Sequence, residues 1–192
     1  MHETDETLYR RYVSEENDAD LEALLLRHRD GLLLFLFSFV RSAEDAEDLM
    51  LDTFAKLAAE KPAFEPRRTG SFKSWLYAIG RNHALMHLRK RKFSISPLRE
   101  DLPDAGDLPD AGDLPETVLL RDERNRALYR AMESLKPEYC RVLTLLYFDG
   151  LSHDEIARVM GMRKGQIYSI VRHGKETLKQ TLERMGIRDA QG

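Results

Sequence analysis

The chain has 192 residues, a formal net charge of −3, 33% charged and 42% hydrophobic residues. That length can bury a real core in one or two domains, and the composition is that of a globular, helix-rich protein. No apolar run approaches the roughly 20 residues needed to cross a bilayer, which excludes a membrane span. The polar N-terminus MHETDETLYRR does not read as a secretory signal, and the lone Cys140 excludes an internal disulfide. A cytoplasmic protein is expected, with Cys140 a small core residue.

The first helix is expected over residues 18–40, interrupted near Asp30-Gly31, and the second over 43–60. Ser42 caps the second, with Glu44, Asp45, Glu47 and Asp48 near its positive end. Lys61-Pro62 and Glu65-Pro66 stop it, because a residue before proline avoids the α region. The loop 61–71 carries Phe64, Arg67 and Arg68, an aromatic beside two arginines able to stack an unpaired base and hold its backbone. A helix over 71–92 follows, with Phe72, Trp75, Leu76 and Ile79 on one core-facing stripe and Arg89, Lys90, Arg91 and Lys92 at its end.

Residues 100–116 hold seven acids and no bases, within a DLPDAG repeat whose prolines bar helix and central strand alike. They read as an acidic, semi-extended linker between two basic ends, and local potential rather than total charge steers a polyanion. Further helices are expected over 118–135, 137–148, 152–160 and 163–184, and no strand pattern of useful length occurs. The fold class is all-α, two small helical domains joined by the linker: 1–96, 97–117 and 118–192.

Residues 151–175, LSHDEIARVMGMRKGQIYSIVRHGK, read as a helix-turn-helix. Ser152 and Glu155 form a capping box, Ile156, Ala157 and Met160 face inward, and Gly161 supplies the positive φ of a tight turn. With Ile167 and Ile170 anchoring the second helix, Gly165, Tyr168, Ser169, Arg172 and Lys175 point outward as a polar, cationic face able to reach base edges and phosphates.

Together, AEDAEDLMLDTFAKL (43–57), FKSWLYAIGRNHALMHLRKRK (72–92) and LKPEYCRVLTLLYFDGLSHDEIARVMG (135–161) resemble the bacterial sigma-70 family. The resemblance is to its small extracytoplasmic-function members, which keep only the second and fourth sigma domains, and it covers about 19–92 and 121–183. It implies a promoter-directing subunit of core RNA polymerase rather than an enzyme, with no cofactor or metal. It places Asp45, Asp48, Leu49 and Asp52 on the surface that docks on the β′ clamp helices, the β subunit being a further contact. It gives Phe64, Arg67, Arg68 and Asn82 the capture of a flipped base of the −10 element, and Arg89, Lys90 and Arg91 nearby phosphates. Arg163, Lys164, Tyr168, Ser169, Arg172 and Lys175 would read the −35 element as duplex DNA, and control by an anti-sigma factor is implied. Met50, Met86, Gln166 and Ile170 depart from the family's usual residues at their positions. Three rival readings stand beside this one: zinc chemistry at His83 and His87, which lack the Glu of H-E-x-x-H, a helix-turn-helix regulator acting without polymerase, and a decoy that mimics such a factor.

Overall fold

The structure, a computed structural model, describes residues 3–66, 70–95, 130–132 and 134–186, the side chains of 93–95 excepted. The acidic linker expected at 97–117, and most of the helix expected from 118, lie outside the described residues. Among the described residues seven helices carry the fold: α1 Asp5–Glu15, α2 Asp18–Val40, α3 Ala43–Glu60, α4 Phe72–Ile95, α5 Pro137–Tyr147, α6 His153–Met160 and α7 Lys164–Arg184. Among the described residues there is no strand.

α1 precedes the first helix that the periodicity predicts. The Thr4 side chain accepts from the Thr7 amide at 3.2 Å, Asp5 and Glu6 occupy the positive first turn, and Leu8, Tyr9 and Tyr12 face the core. Ionic contacts bind it to α2. Asp5 accepts from Arg27 at 2.9 Å and sits 2.7 Å from the buried His28 ring, while Arg11 Nε donates to Asp20 at 2.6 Å.

α2 runs unbroken through Asp30-Gly31, contrary to the expected interruption. All of its residues from Leu32 to Val40 are buried, because α1, α3, α4 and α5 all pack against it. A helix enclosed this way loses the usual polar face. α3 starts where Ser42 Oγ accepts from the Asp45 amide at 3.2 Å and ends at Lys61 with φ 42°. α4 buries Phe72, Trp75 and Leu76 as the spacing predicts, but Tyr77 is equally buried and Ile79 only partly.

After the linker, Pro137 opens α5 at a position where its missing N–H costs nothing. Cys140 is a buried thiol, in no disulfide, in a small core with Met132, Leu143 and Leu178. The main apolar core runs on from α1–α4 into Val142, Leu145, Leu151, Ile156 and Ile167, so α5 packs on α2 and α6 on α4.

Candidate nucleic-acid interface

The α6–turn–α7 unit is built by its own sequence. Ser152 Oγ accepts from the Glu155 amide at 3.3 Å and Glu155 accepts from the Ser152 amide at 2.9 Å, closing a capping box that fixes the start of α6. Gly161 takes φ 63°, which turns the chain sharply into α7. Ile156, Val159, Met160, Ile167, Ile170 and Val171 are buried behind the turn, while Ala157 is only half-buried.

The opposite face of α7 is open. Arg163, Lys164, Gly165, Tyr168, Ser169, Arg172 and Lys175 are all exposed, as the helical period predicts. Tyr168 stacks on His153 with ring centroids 4.5 Å apart, and Lys164 pairs with Asp154 at 2.8 Å, which raises the Lys164 ammonium above its ordinary value. The Lys175 ammonium sits 5.5 Å from the Tyr147 ring centroid. Two of the four departures gain a local role here. Gln166 Oε1 accepts from the Arg163 amide at 2.9 Å and so caps α7, and Ile170 is core.

On the N-terminal half, Asn82 and Arg89–Arg91 are exposed along α4. Arg67 and Arg68 lie outside the described residues. Phe64 is half-buried in an aromatic group, its ring centroid 5.3 Å from Trp75 and 5.8 Å from Phe72. Its loop is propped by α1: Tyr9 Oη donates to the Pro62 carbonyl at 2.8 Å, and burial pushes the Tyr9 phenol up to about 12. A cavity of about 280 Å³ opens between α1 and this loop, lined by Tyr9, Arg10, Val13, Pro62 and Phe64 among others. The signal for this prop was present in the sequence as Thr4, two acids, then Leu8, Tyr9 and Tyr12 at helical spacing.

On α3, Asp48 and Asp52 are exposed and Asp45 is half-buried, 3.8 Å from both His87 Nε2 and Arg91 Nη1. Leu49 is only 5% exposed, so its side chain cannot be the apolar contact of a docking surface. It faces inward with Ala46 and Thr53, one turn either side. Leu51, between the two acids, is 54% exposed. His83 Nδ1 sits 3.4 Å from Thr53 Oγ1 while His87 Nε2 lies 3.8 Å from Asp45, and burial lowers the affinity of His83 for a proton. No group of three or more His, Cys, Asp or Glu residues arranged to hold a metal occurs among the described residues. No helix among them is long and apolar enough to cross a membrane.

Comparison with known proteins accounts for both halves. Residues 24–94 match the sigma-70 region 2 family and residues 125–178 match sigma-70, region 4. The chain is 29% identical to the RNA polymerase sigma-H factor of Pseudomonas aeruginosa over 94% of its length and 95% of that protein's. It is also 29% identical to the ECF RNA polymerase sigma factor SigE of Mycolicibacterium smegmatis, matching over 88% of this chain and 64% of that one. Among solved structures, the sigma factor RpoE of Bartonella quintana, in complex with the anti-sigma factor NepR, superposes with a TM-score of 0.60 at 26% identity, over 85% of this chain and 97% of that one. α1 and the first turns of α2 precede the region 2 match; α3, α4 and the capped helix-turn-helix fall inside the two matched regions. The chain therefore belongs to the sigma-70 family, in its extracytoplasmic-function group.

Proposed function

We propose that this chain binds core RNA polymerase and directs it to promoters by dividing two tasks between its ends. The exposed face of α7, with Arg163, Lys164, Tyr168, Ser169, Arg172 and Lys175, reads the −35 element in the major groove and grips its phosphates. The loop with Phe64, Arg67 and Arg68, together with Asn82, captures an unpaired base of the −10 element, and Arg89, Lys90 and Arg91 hold the adjacent backbone. Holding an extruded base offsets the few kcal/mol that unstacking costs, which is how a protein without a motor opens a duplex. Asp45, Asp48 and Asp52, with Leu51, face the β′ clamp helices of the polymerase. These roles place the chain in the cytoplasm, where polymerase and promoter meet.

The observation that carries this reading is the cationic, polar face of α7, laid bare over a fully apolar backing inside a region 4 sequence. The Bartonella neighbour was solved with an anti-sigma factor, and we infer the same class of inhibitor for this chain. The test is transcription by bacterial core polymerase plus the purified chain on a random promoter library. Specific starts that core alone ignores are expected. Arg172→Ala should weaken duplex −35 binding about tenfold, the order of one lost base contact, while Asn82→Ala should impair strand opening with duplex binding kept. Equal loss of both activities in both variants would contradict the division of labour. A regulator acting alone would bind duplex tightly without core; a decoy would initiate at no promoter.

A further inference from the structure

Two of the reading residues on α7 are held by the first turn of the helix before it. His153 and Asp154 open α6, and the Ser152–Glu155 capping box fixes where that turn starts. The His153 ring lies on the Tyr168 ring with centroids 4.5 Å apart and planes 15° from parallel. Beside it, Asp154 accepts from the Lys164 ammonium with both carboxylate oxygens, at 2.8 Å and 3.0 Å. Lys164 and Tyr168 stand one turn apart on α7, and the ammonium lies 6.0 Å from the Tyr168 ring centroid. These side chains make one cluster across two helices, on the face opposite the core. The core of the unit is complete without them, since Ile156, Val159, Met160, Ile167 and Ile170 fill it. Tyr168 is 51% exposed, and Lys164 and Asp154 are each more than half exposed. A pair in water at such a surface adds little to stability. What it does is fix where two side chains point.

We propose that His153 and Asp154 are positioning residues for duplex recognition: the histidine presets the Tyr168 ring for a base edge, and the aspartate restrains Lys164 from gripping phosphates regardless of sequence. The proposal rests on the reading of the open α7 face as the −35 surface. A tyrosine free at a surface samples several rotamers, and ordering it on contact costs affinity. With one ring face already covered by His153, that cost is met when the chain folds. The other face, the ring edge and the hydroxyl stay available to the major groove, where a thymine methyl or a base acceptor distinguishes one sequence from another. Asp154 works in the opposite sense. Attraction to any duplex comes from cations that replace counterions along the phosphates. A lysine already paired with a carboxylate adds less to that attraction, because a phosphate must first displace its partner. The carboxylate also repels a backbone that approaches in the wrong register. One residue raises affinity for the right sequence, and its neighbour lowers affinity for all sequences. Both act on the ratio between the two.

The test uses the full chain with core polymerase, on the promoter where the wild type initiates best and on single-base variants of its −35 element. Tyr168→Leu identifies the base pairs that the tyrosine discriminates. At those pairs His153→Ala, which leaves the capping box intact, should lose about threefold to tenfold of the discrimination, the order of one aromatic pair. His153→Phe should restore it, and in a Tyr168→Leu chain His153→Ala should change nothing further. Asp154→Asn should bind every variant more tightly, with narrower discrimination. Its slope of log affinity against log salt should steepen by about 0.9, one more phosphate neutralised. A role in folding alone would move neither base preference nor salt slope. The positioning is overturned, with the −35 reading intact, by a His153→Ala chain that discriminates as the wild type does, by losses that add in the double variant, or by an unchanged slope in Asp154→Asn. A wild type that initiates nowhere, or ignores the −35 sequence, overturns the −35 reading and the positioning with it.

Discussion

Replacing Gly31 with alanine separates the two things this position does. Gly31 lies in the interior of α2, where alanine favours the helix by about 1 kcal/mol over glycine. Left to itself, the substitution should therefore stabilise. In the docked form, however, the new methyl meets the Asp149 carboxylate and the Tyr77 hydroxyl, which are hydrogen-bonded at 2.6 Å. Tyr77 has no exposed surface, so it cannot swing aside, and the bond to a charged acceptor must break. Breaking it costs about 1–3 kcal/mol and leaves the buried carboxylate with only the Lys73 ammonium, 4.0 Å from its Oδ1. Every 1.4 kcal/mol is about a tenfold change in the closed-to-open ratio. The expected outcome is a chain that opens while α2 and its neighbours become as stable or more so. Urea unfolding followed on the single tryptophan, Trp75, reads the second effect, and scattering reads the first. Gly80→Ala is the control, since the nearest atoms its Cβ would meet belong to Leu32, Leu36 and Thr53 on the region 2 side. A Gly31→Ala chain as compact as wild type and about 1 kcal/mol more stable would refute the docking described above.

Two further outcomes test the fold and the polymerase-facing surface. Asp5→Asn should cost about 2 kcal/mol, because it leaves the buried His28 without its carboxylate, a loss of a charge-assisted hydrogen bond. In the wild type, burial would raise the Asp5 carboxyl, but the bond to His28 and the Arg27 charge outweigh it and hold it below its ordinary 3.8. A lowered value means that this stabilisation is complete above pH 3.8 and is lost as pH falls through the lower one, so the variant's acid limb should flatten in a pH series of urea midpoints. Leu49→Ala and Leu51→Asp should separate core from contact. The first should lose about 2–4 kcal/mol of stability, as buried leucine truncations do. The second should leave stability unchanged but weaken core polymerase binding, measured by competition for core enzyme.

The buried and exposed positions of the helix-turn-helix were legible, the half-buried Ala157 excepted, because everything that builds it is local. A capping box, a glycine at the turn and apolar residues at 3–4 spacing name both helices and the face each turns outward. Leu49 shows where such reasoning falls short. The family resemblance gives Leu49 a docking role beside Asp45, Asp48 and Asp52, although it shares a buried face with Ala46, Thr53 and Leu57 at 3–4 spacing. The side of α3 is set by where α2 and α4 lie, which is tertiary information. α1 failed for a different reason: its charged first turn reads as an acidic tail, and only Leu8, Tyr9 and Tyr12 betray a buried stripe. Gln166 and Ile170, departures when judged against a family, have plain local uses as a cap and a core residue.

Tyr77 is the residue that ties these points together. It stands off the Phe72, Trp75, Leu76 and Ile79 stripe, so a helix with one buried face would leave it exposed. It is fully buried because its ring lies 5.3 Å from that of Phe35 on α2 and its hydroxyl is covered by the turn carrying Asp149. Cover on several sides likewise buries all of residues 32–40 of α2, where a single amphipathic face would have buried only every third or fourth side chain.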